Sequence, residues 1–307
     1  MKPFRKHAVL AIDGGGIRGT MVAEALAILE QKTGRPCADV FRIFAGTSTG
    51  SILSSCLAAR MPAKAIHELY VELGNTIFKR TWRFYWPLSG WKFSLKPLAS
   101  ALRGALGERT MGSFWEGPRP IDVITTVRDL VENRTLYVKS WKPEYREWKA
   151  WYAVLCSCAV PTFFPAVDGR YVDGGVGSYS NPCYLAAYEA AYLANWDPRE
   201  TTLISLGTGR DIRQLDPRRV DRFSVLDWLH PLIDSFIADA SDQQVRVVRQ
   251  FFPDLDFRRF QIQLDAPVAL DDPASIPLLT ELGKKLADKI WQDDVDDRVL
   301  RRPGRMA

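Results

Sequence analysis

Val40-Phe41-Arg42-Ile43-Phe44-Ala45-Gly46-Thr47-Ser48-Thr49-Gly50-Ser51-Ile52-Leu53 is the stretch whose reading decides the fold. Val40 to Ala45 is apolar and rich in β-branched and aromatic residues, which predicts a buried strand. Gly46 to Gly50 breaks the pattern, and from Ser51 a small-residue run predicts a helix. Strand, Gly-x-Ser-x-Gly and helix form the context of a nucleophile elbow, in which a serine stands on a sharp turn with its hydroxyl exposed. Glycines at both ends let strand and helix approach closely. The helix start behind the serine adds partial positive charge where an oxyanion would develop. The plain alternative is a tight turn with no chemistry.

Working upstream, Ala8 to Ile12 is a short continuous apolar run, as expected of a strand buried on both faces. It runs into Asp13-Gly14-Gly15-Gly16-Ile17-Arg18-Gly19, and a helix is expected from Thr20 to Thr33 with Gly34 as its stop. Backbone amides left free at such a glycine-rich helix mouth bind an anion or an oxyanion. Three readings compete here. Gly14-x-Gly16-x-x-Gly19 formally fits a dinucleotide fingerprint, with Asp39 as its ribose-binding acid, which would make the chain a non-catalytic nucleotide-binding module. A phosphate-binding P-loop fails, because Thr20 stands where lysine is needed. The third reading makes Gly14, Gly15 and Gly16 an oxyanion hole for Ser48, since both loops would open at one sheet edge. Arg18 would pair with a substrate phosphate or with a surface acid.

Downstream, helices are expected at Pro62–Phe78, Ser94–Gly107 and Trp151–Cys158, and strands at Ile121–Val127 and Arg134–Val138. Residues 79 to 93 interleave large aromatics with basic residues. That suits either a membrane interface or a satellite core under a long loop. Arg170-Tyr171-Val172-Asp173-Gly174-Gly175 reads as a short strand ending in an exposed acid on a tight turn. Asn181-Pro182 opens a helix through Trp196. Thr202–Leu206 is a strand, Gly209 to Arg222 a charged loop, and Phe223 to Phe252 mostly helical. Phe257–Leu264 is a late strand and Ile276–Trp291 a closing helix.

A serine nucleophile needs a proton acceptor. The chain has three histidines, His7, His67 and His230, and none is expected on a loop at a strand's carboxyl end. An acid must take the role, which points to Asp173. Its ordinary pKa lies about 2.6 units below that of histidine, roughly 3.5 kcal/mol of proton affinity. The site must therefore raise that pKa by burial, or rely on its oxyanion hole.

Composition bounds the rest. The chain has 307 residues, 47% hydrophobic and 25% charged. This is the profile of a globular protein with a large core. A net charge of +5 does not argue for a nucleic-acid polymer as partner. Five cysteines without a Cys-x-x-Cys pair argue against a disulfide framework or zinc site and fit a reducing cytoplasm. No apolar run is long enough for a membrane span, so contact with a membrane would be peripheral. One domain is expected over residues 1–292, with a flexible tail at 293–307.

Asp13-Gly-Gly-Gly-Ile-Arg-Gly19, Gly46-Thr-Ser-Thr-Gly50 and Asp173-Gly-Gly175, in that order, resemble the patatin-like phospholipases. So do Ser157-Cys-Ala-Val-Pro-Thr-Phe-Phe-Pro165, Asn181-Pro182 and Leu203-Ile-Ser-Leu-Gly-Thr-Gly209. The resemblance implies a three-layer α/β/α sandwich around a mainly parallel central sheet. It implies hydrolysis of phospholipids or other acyl lipids through an acyl-enzyme, without metal or cofactor, at the inner membrane. Residue by residue, it makes Ser48 the nucleophile, Asp173 the general base, and Gly14, Gly15 and Gly16, with Arg18 nearby, the oxyanion loop. It also carries a finer reading as an antiviral effector activated by a cyclic nucleotide, served by the basic loop at 210–222 and the aromatic segment at 79–93. Homo-oligomer formation and acyl-chain preference stay open.

Overall fold

The computed structural model describes residues 1–79, 90–211, 217–221, 223–224 and 240–296. Strands and helices alternate from the start: β1 (His7–Ile12), α1 (Gly19–Thr33), α2 (Cys37–Val40), β2 (Ile43–Gly46), α3 (Thr49–Ala58) and α4 (Ala63–Ile77). Next come α5 (Leu95–Leu106), the one-turn α6 (Gly112–Trp115), β3 (Asp122–Asp129), β4 (Arg134–Lys139), α7 (Ala150–Cys158) and β5 (Tyr171–Asp173). The rest comprises α8 (Cys183–Tyr188), β6 (Thr201–Leu206), β7 (Arg210–Asp211), α9 (Pro217–Val220), α10 over residues 240–251, β8 (Asp256–Phe260), β9 (Gln263–Leu264) and α11 (Ile276–Gln292).

The main sheet has the order β4-β3-β2-β1-β6-β8. All neighbours run parallel except β4, which forms a hairpin with β3. β1 has β2 on one side and β6 on the other, so the chain reverses its winding there. In open α/β sheets that switch point is where the strands' carboxyl ends leave a crevice. Side chains of β1 alternate between two cores. Leu10 and Ile12 pack with α1, α3, α7 and α11, while Val9 and Ala11 pack with α8 and α10. Both faces are covered, which is the three-layer α/β/α arrangement expected from the motifs. Local signals account for the helix ends: Gly34, in the left-handed region at φ 65°, stops α1, and the Ser94 hydroxyl caps α5 by accepting from the Lys96 amide at 3.3 Å.

Several expected boundaries shift for identifiable reasons. The strand expected from Val40 begins at Ile43. Pro36 starts the short helix α2, and the Arg42 amide donates a hydrogen bond to the Ala8 carbonyl of β1, so tertiary context overrides the β propensity of Val40. The helix expected to run to Trp196 ends its α-helical part at Tyr188 and passes through a π-helical turn. Trp196 instead stacks on His7 at 4.4 Å between ring centroids. The late strand at 257–264 divides into β8 and β9, the latter pairing with β7 in a separate ribbon. Of the aromatic segment, residues 80–89 lie outside the described residues. Phe93 is fully buried against Phe78, Phe163 and Phe164, so for that ring the core reading holds. His230 and most of 223–252 before residue 240 also lie outside the described residues, as does the tail from 297.

Candidate active site

Two tight connections leave the carboxyl edge of the sheet side by side: the glycine loop after β1 and the turn between β2 and α3. Ser48 sits in the second with φ 55° and ψ −125°, a conformation that non-glycine residues rarely adopt. The surrounding glycines explain how the turn closes. A Cβ on Gly46 would collide with the Gly50 carbonyl, and one on Gly50 would collide with the carbonyl of Ile12 in the neighbouring strand. The turn is therefore compressed between β1 and α3, and the serine is forced to its tip.

Four buried hydroxyls hold it. The Ser48 amide donates to Ser157 Oγ of α7 at 2.9 Å. Ser157 exchanges a 2.9 Å hydrogen bond with Ser51, and Ser51 donates to the Gly46 carbonyl at 2.9 Å. Thr47 Oγ1 lies 2.7 Å from Thr126 Oγ1 of β3 and also reaches the Tyr179 carbonyl.

Asp173 arrives from the far side through the pairing of β3. That strand pairs with β2 up to Gly46↔Thr125, then takes β5 in the opposite direction at Val127↔Asp173. The end of β2 and the end of β5 thus meet along one strand, with only Thr126 between their partners. Residues 125 positions apart in sequence become neighbours. The Asp173 amide is fixed by the Ala159 carbonyl at 3.0 Å, just past α7, and its Oδ1 accepts from the Gly175 amide at 2.7 Å. Burial pushes the Asp173 carboxyl up to about 6, against the opposing effects of the Ser48 hydroxyl and the Gly175 amide. The serine is thus close enough to bias the carboxylate, yet Oδ2 has no well-formed hydrogen-bond partner among the described residues. The Ser48 hydroxyl and the Asp173 carboxylate are thus neighbours.

The three glycines divide in their roles. The Gly14 amide is occupied, donating to the Ser180 carbonyl at 2.8 Å. The amides of Gly15 and Gly16, and that of Thr49 behind the serine, have no acceptor among the described residues. Thr208, from the Gly-Thr-Gly turn after β6, grips the loop by donating to the Gly14 carbonyl at 2.6 Å, and its side chain fills the space a Cβ on Gly15 would need. Gly14 itself passes so close to the nucleophile that a Cβ there would lie 3.3 Å from Ser48 Cβ. The loop's first residue, Asp13, forms a buried two-point ion pair with Arg259 of β8 at 2.8 and 2.6 Å. Arg18 turns away: its guanidinium is held by the Val268 carbonyl and does not line the cavity described next.

Ser48, Asp173 and the glycine loop open onto a cavity of about 480 Å³. Its walls are apolar, formed by α4, α5 and the Val160–Phe164 segment, with Leu73, Ile77, Leu102 and Phe163 among them. The volume falls within the range of ligand sites. No histidine among the described residues lines it: His7 stacks on Trp196, and His67 lies 3.1 Å from the Thr280 hydroxyl. Asp39, the acid of the dinucleotide reading, lies before β2 at the opposite edge of the sheet, bound to Arg60 and Arg119. Sequence reasoning missed the supporting roles of Ser157, Thr126, Ser180 and Thr208. The first and last lie in quoted motifs, so the signal was present without the geometry that gives it meaning. All five cysteines are buried free thiols.

A family model described as patatin-like phospholipase matches residues 10–187. The chain is 29% identical over 224 residues to an intracellular phospholipase A2 of Caenorhabditis elegans, covering 67% of this chain and 20% of that protein. It is 29% identical over 238 residues to Patatin-T5 of Solanum tuberosum (66% and 60%). It is 30% identical over 214 residues to a cGAMP-activated phospholipase of Pseudomonas aeruginosa (66% and 62%). The chain thus spans between a fifth and about three fifths of these relatives. The matched region runs from β1 into α8 and holds the glycine loop, the strained serine turn and Asp173, so the chain belongs to the patatin-like phospholipase family.

Proposed function

We propose that this chain is a serine lipid acyl hydrolase of the phospholipase A or lysophospholipase type, working through Ser48 and Asp173. One observation carries the reading: a serine on a strained turn lies beside a buried, proton-hungry carboxylate at the head of an apolar cavity. The Ser48 hydroxyl attacks the ester carbonyl while its proton passes to Asp173 Oδ2. The oxyanion forms against the amides of Gly15, Gly16 and Thr49, at the positive end of α3. Collapse of the intermediate returns the proton to the leaving lysolipid or alcohol, leaving an acyl-serine. Water then attacks with Asp173 again as base, and fatty acid is released. The apolar cavity holds the acyl chain, whose burial supplies about 0.8 kcal/mol per methylene. Residues 1–292 act as one domain in this reading, meeting the membrane peripherally. Among the described residues no helix is long and apolar enough to cross a membrane.

The test is fatty-acid release from phosphatidylcholine–phosphatidylglycerol vesicles. Wild type releases acid, and Ser48→Ala lowers the rate by about 10³-fold or more. Equal rates would refute the assignment. A finer reading has a specific support, the cGAMP-activated phospholipase of Pseudomonas aeruginosa. The same assay with and without added cyclic dinucleotide measures it, and stimulation of at least about tenfold is expected of a gated enzyme.

A further inference from the structure

At the amino edge of the sheet, away from the cavity, three arginines converge on Asp39 and a fourth lies beside them. Arg60 donates twice to Asp39 Oδ1, at 2.7 and 3.0 Å. Arg119 reaches the same oxygen at 3.5 Å and the Asp39 carbonyl at 2.6 Å, and Arg35 reaches that carbonyl at 3.2 Å. Arg42 completes the group. Its guanidinium is half-buried beside Arg119 and has no acidic partner among the described residues. The Glu30 carboxylate lies at the same spot, accepting from the Cys37 amide at 2.7 Å and the Ala63 amide at 2.8 Å, so among the described residues four positive groups meet two negative ones, a surplus of two charges. Such crowding is unfavourable unless an anion offsets it. Guanidinium groups pair with phosphate through two parallel hydrogen bonds, and several converging on one point favour a group with more than one negative charge.

The framework is rigid. The Arg42 amide donates to the Ala8 carbonyl at 3.0 Å, and the Arg42 carbonyl accepts from the Asp122 amide at 2.9 Å. The backbone of Arg42 is therefore fixed between β1 and β3, where their strands begin. Six residues separate Arg42 from Ser48 along β2 and its turn, roughly 20 Å for extended chain. A membrane meeting the cavity mouth at the carboxyl edge does not reach the other edge at the same time.

We propose that Arg35, Arg42, Arg60 and Arg119 form a binding site for a multiply charged phosphate group, remote from the candidate active site. Its position favours a soluble phosphate compound over a lipid headgroup. The site does not depend on the reaction assigned to Ser48.

The test uses inorganic pyrophosphate as probe, by titration calorimetry on the full chain at about 0.15 M salt, where weak exposed pairs are screened. Saturable binding is expected. Arg42→Gln with Arg119→Gln should weaken it by at least about tenfold. A control pair removing the same charge elsewhere, Lys284→Gln with Lys285→Gln on the exposed face of α11, should change it less than about twofold. Circular dichroism and thermal melts establish that each variant is folded. No saturable binding up to about 10 mM, or equal loss in both pairs, would overturn the site. Flotation with phosphatidylglycerol vesicles separates the sources. The Arg42 and Arg119 variant should bind vesicles as wild type does, and selective loss of vesicle binding would reject the soluble-ligand assignment.

Discussion

Asp173 is the residue on which the proposed chemistry depends. Its carboxyl is pushed up to about 6 because burial disfavours the charged form. As the proposed base, Asp173 works only when ionised, so kcat/KM on an uncharged acyl ester should fall with unit slope below about pH 6 and level off above it. A midpoint near pH 4 would mean that the carboxylate is solvated in solution. The same shift has a stability consequence of opposite sense. Between the unfolded value of 3.8 and the folded value of about 6, the native state binds more proton than the unfolded chain. Stability is then highest below the lower value, declines as pH rises through that window, and is flat above it. A shift of this size corresponds to at most about 3 kcal/mol. Asp173→Asn removes the buried charge, so at pH 7.5 it should melt several degrees above wild type while being inactive. An unchanged or lower melting temperature would argue against the buried charge.

Among the elements, α7 and its C-terminal exit act as a bracket. Ser157 Oγ accepts the Ser48 amide, and two residues later the Ala159 carbonyl accepts the Asp173 amide. One short segment therefore fixes both members of the proposed dyad. Ser157→Ala would leave the strained Ser48 amide without its acceptor, a loss of about 1–3 kcal/mol. The expected result is a fall in kcat of about 10- to 100-fold with KM little changed, since the apolar cavity is untouched. If kcat per folded molecule stayed at the wild-type value, Ser157 would be only a packing residue. The element boundaries were largely legible in the sequence because period and punctuation are local: Leu10 and Ile12 alternate with Val9 and Ala11, and Gly34 ends α1. The start of β2 was misjudged because the bond between the Arg42 amide and the Ala8 carbonyl is not a local property.

Across the whole molecule, the buried pair of Asp13 and Arg259 ties the glycine loop to β8, 246 positions away. Arg259 also donates to Ser205 of β6 at 2.8 Å, so three adjacent strands share one charge network at the carboxyl edge. Arg259→Met would strand a buried carboxylate, at a cost of about 3–5 kcal/mol. Chemical denaturation should show that loss, with much of it recovered when Asp13 is also made Asn. A change under about 1 kcal/mol would mean that the edge is wet and the pair weak.

The sequence by itself determined the parts: the serine turn, the glycine loop, the acid before Gly174, the strands buried on both faces and the lack of an evident histidine base. These follow from steric limits and hydrophobic periods among adjacent residues, which need no knowledge of the rest of the chain. Only the tertiary structure decided how the parts meet. β3 pairs first with β2 and then with β5, and that register brings Asp173 to Ser48. The Ser180 carbonyl occupies the Gly14 amide while those of Gly15 and Gly16 have no acceptor among the described residues, the Val268 carbonyl turns Arg18 away, and Arg35, Arg60 and Arg119 converge on Asp39 at the far edge. Each is a pairing between distant positions, fixed by the packing of the whole sheet and its helices.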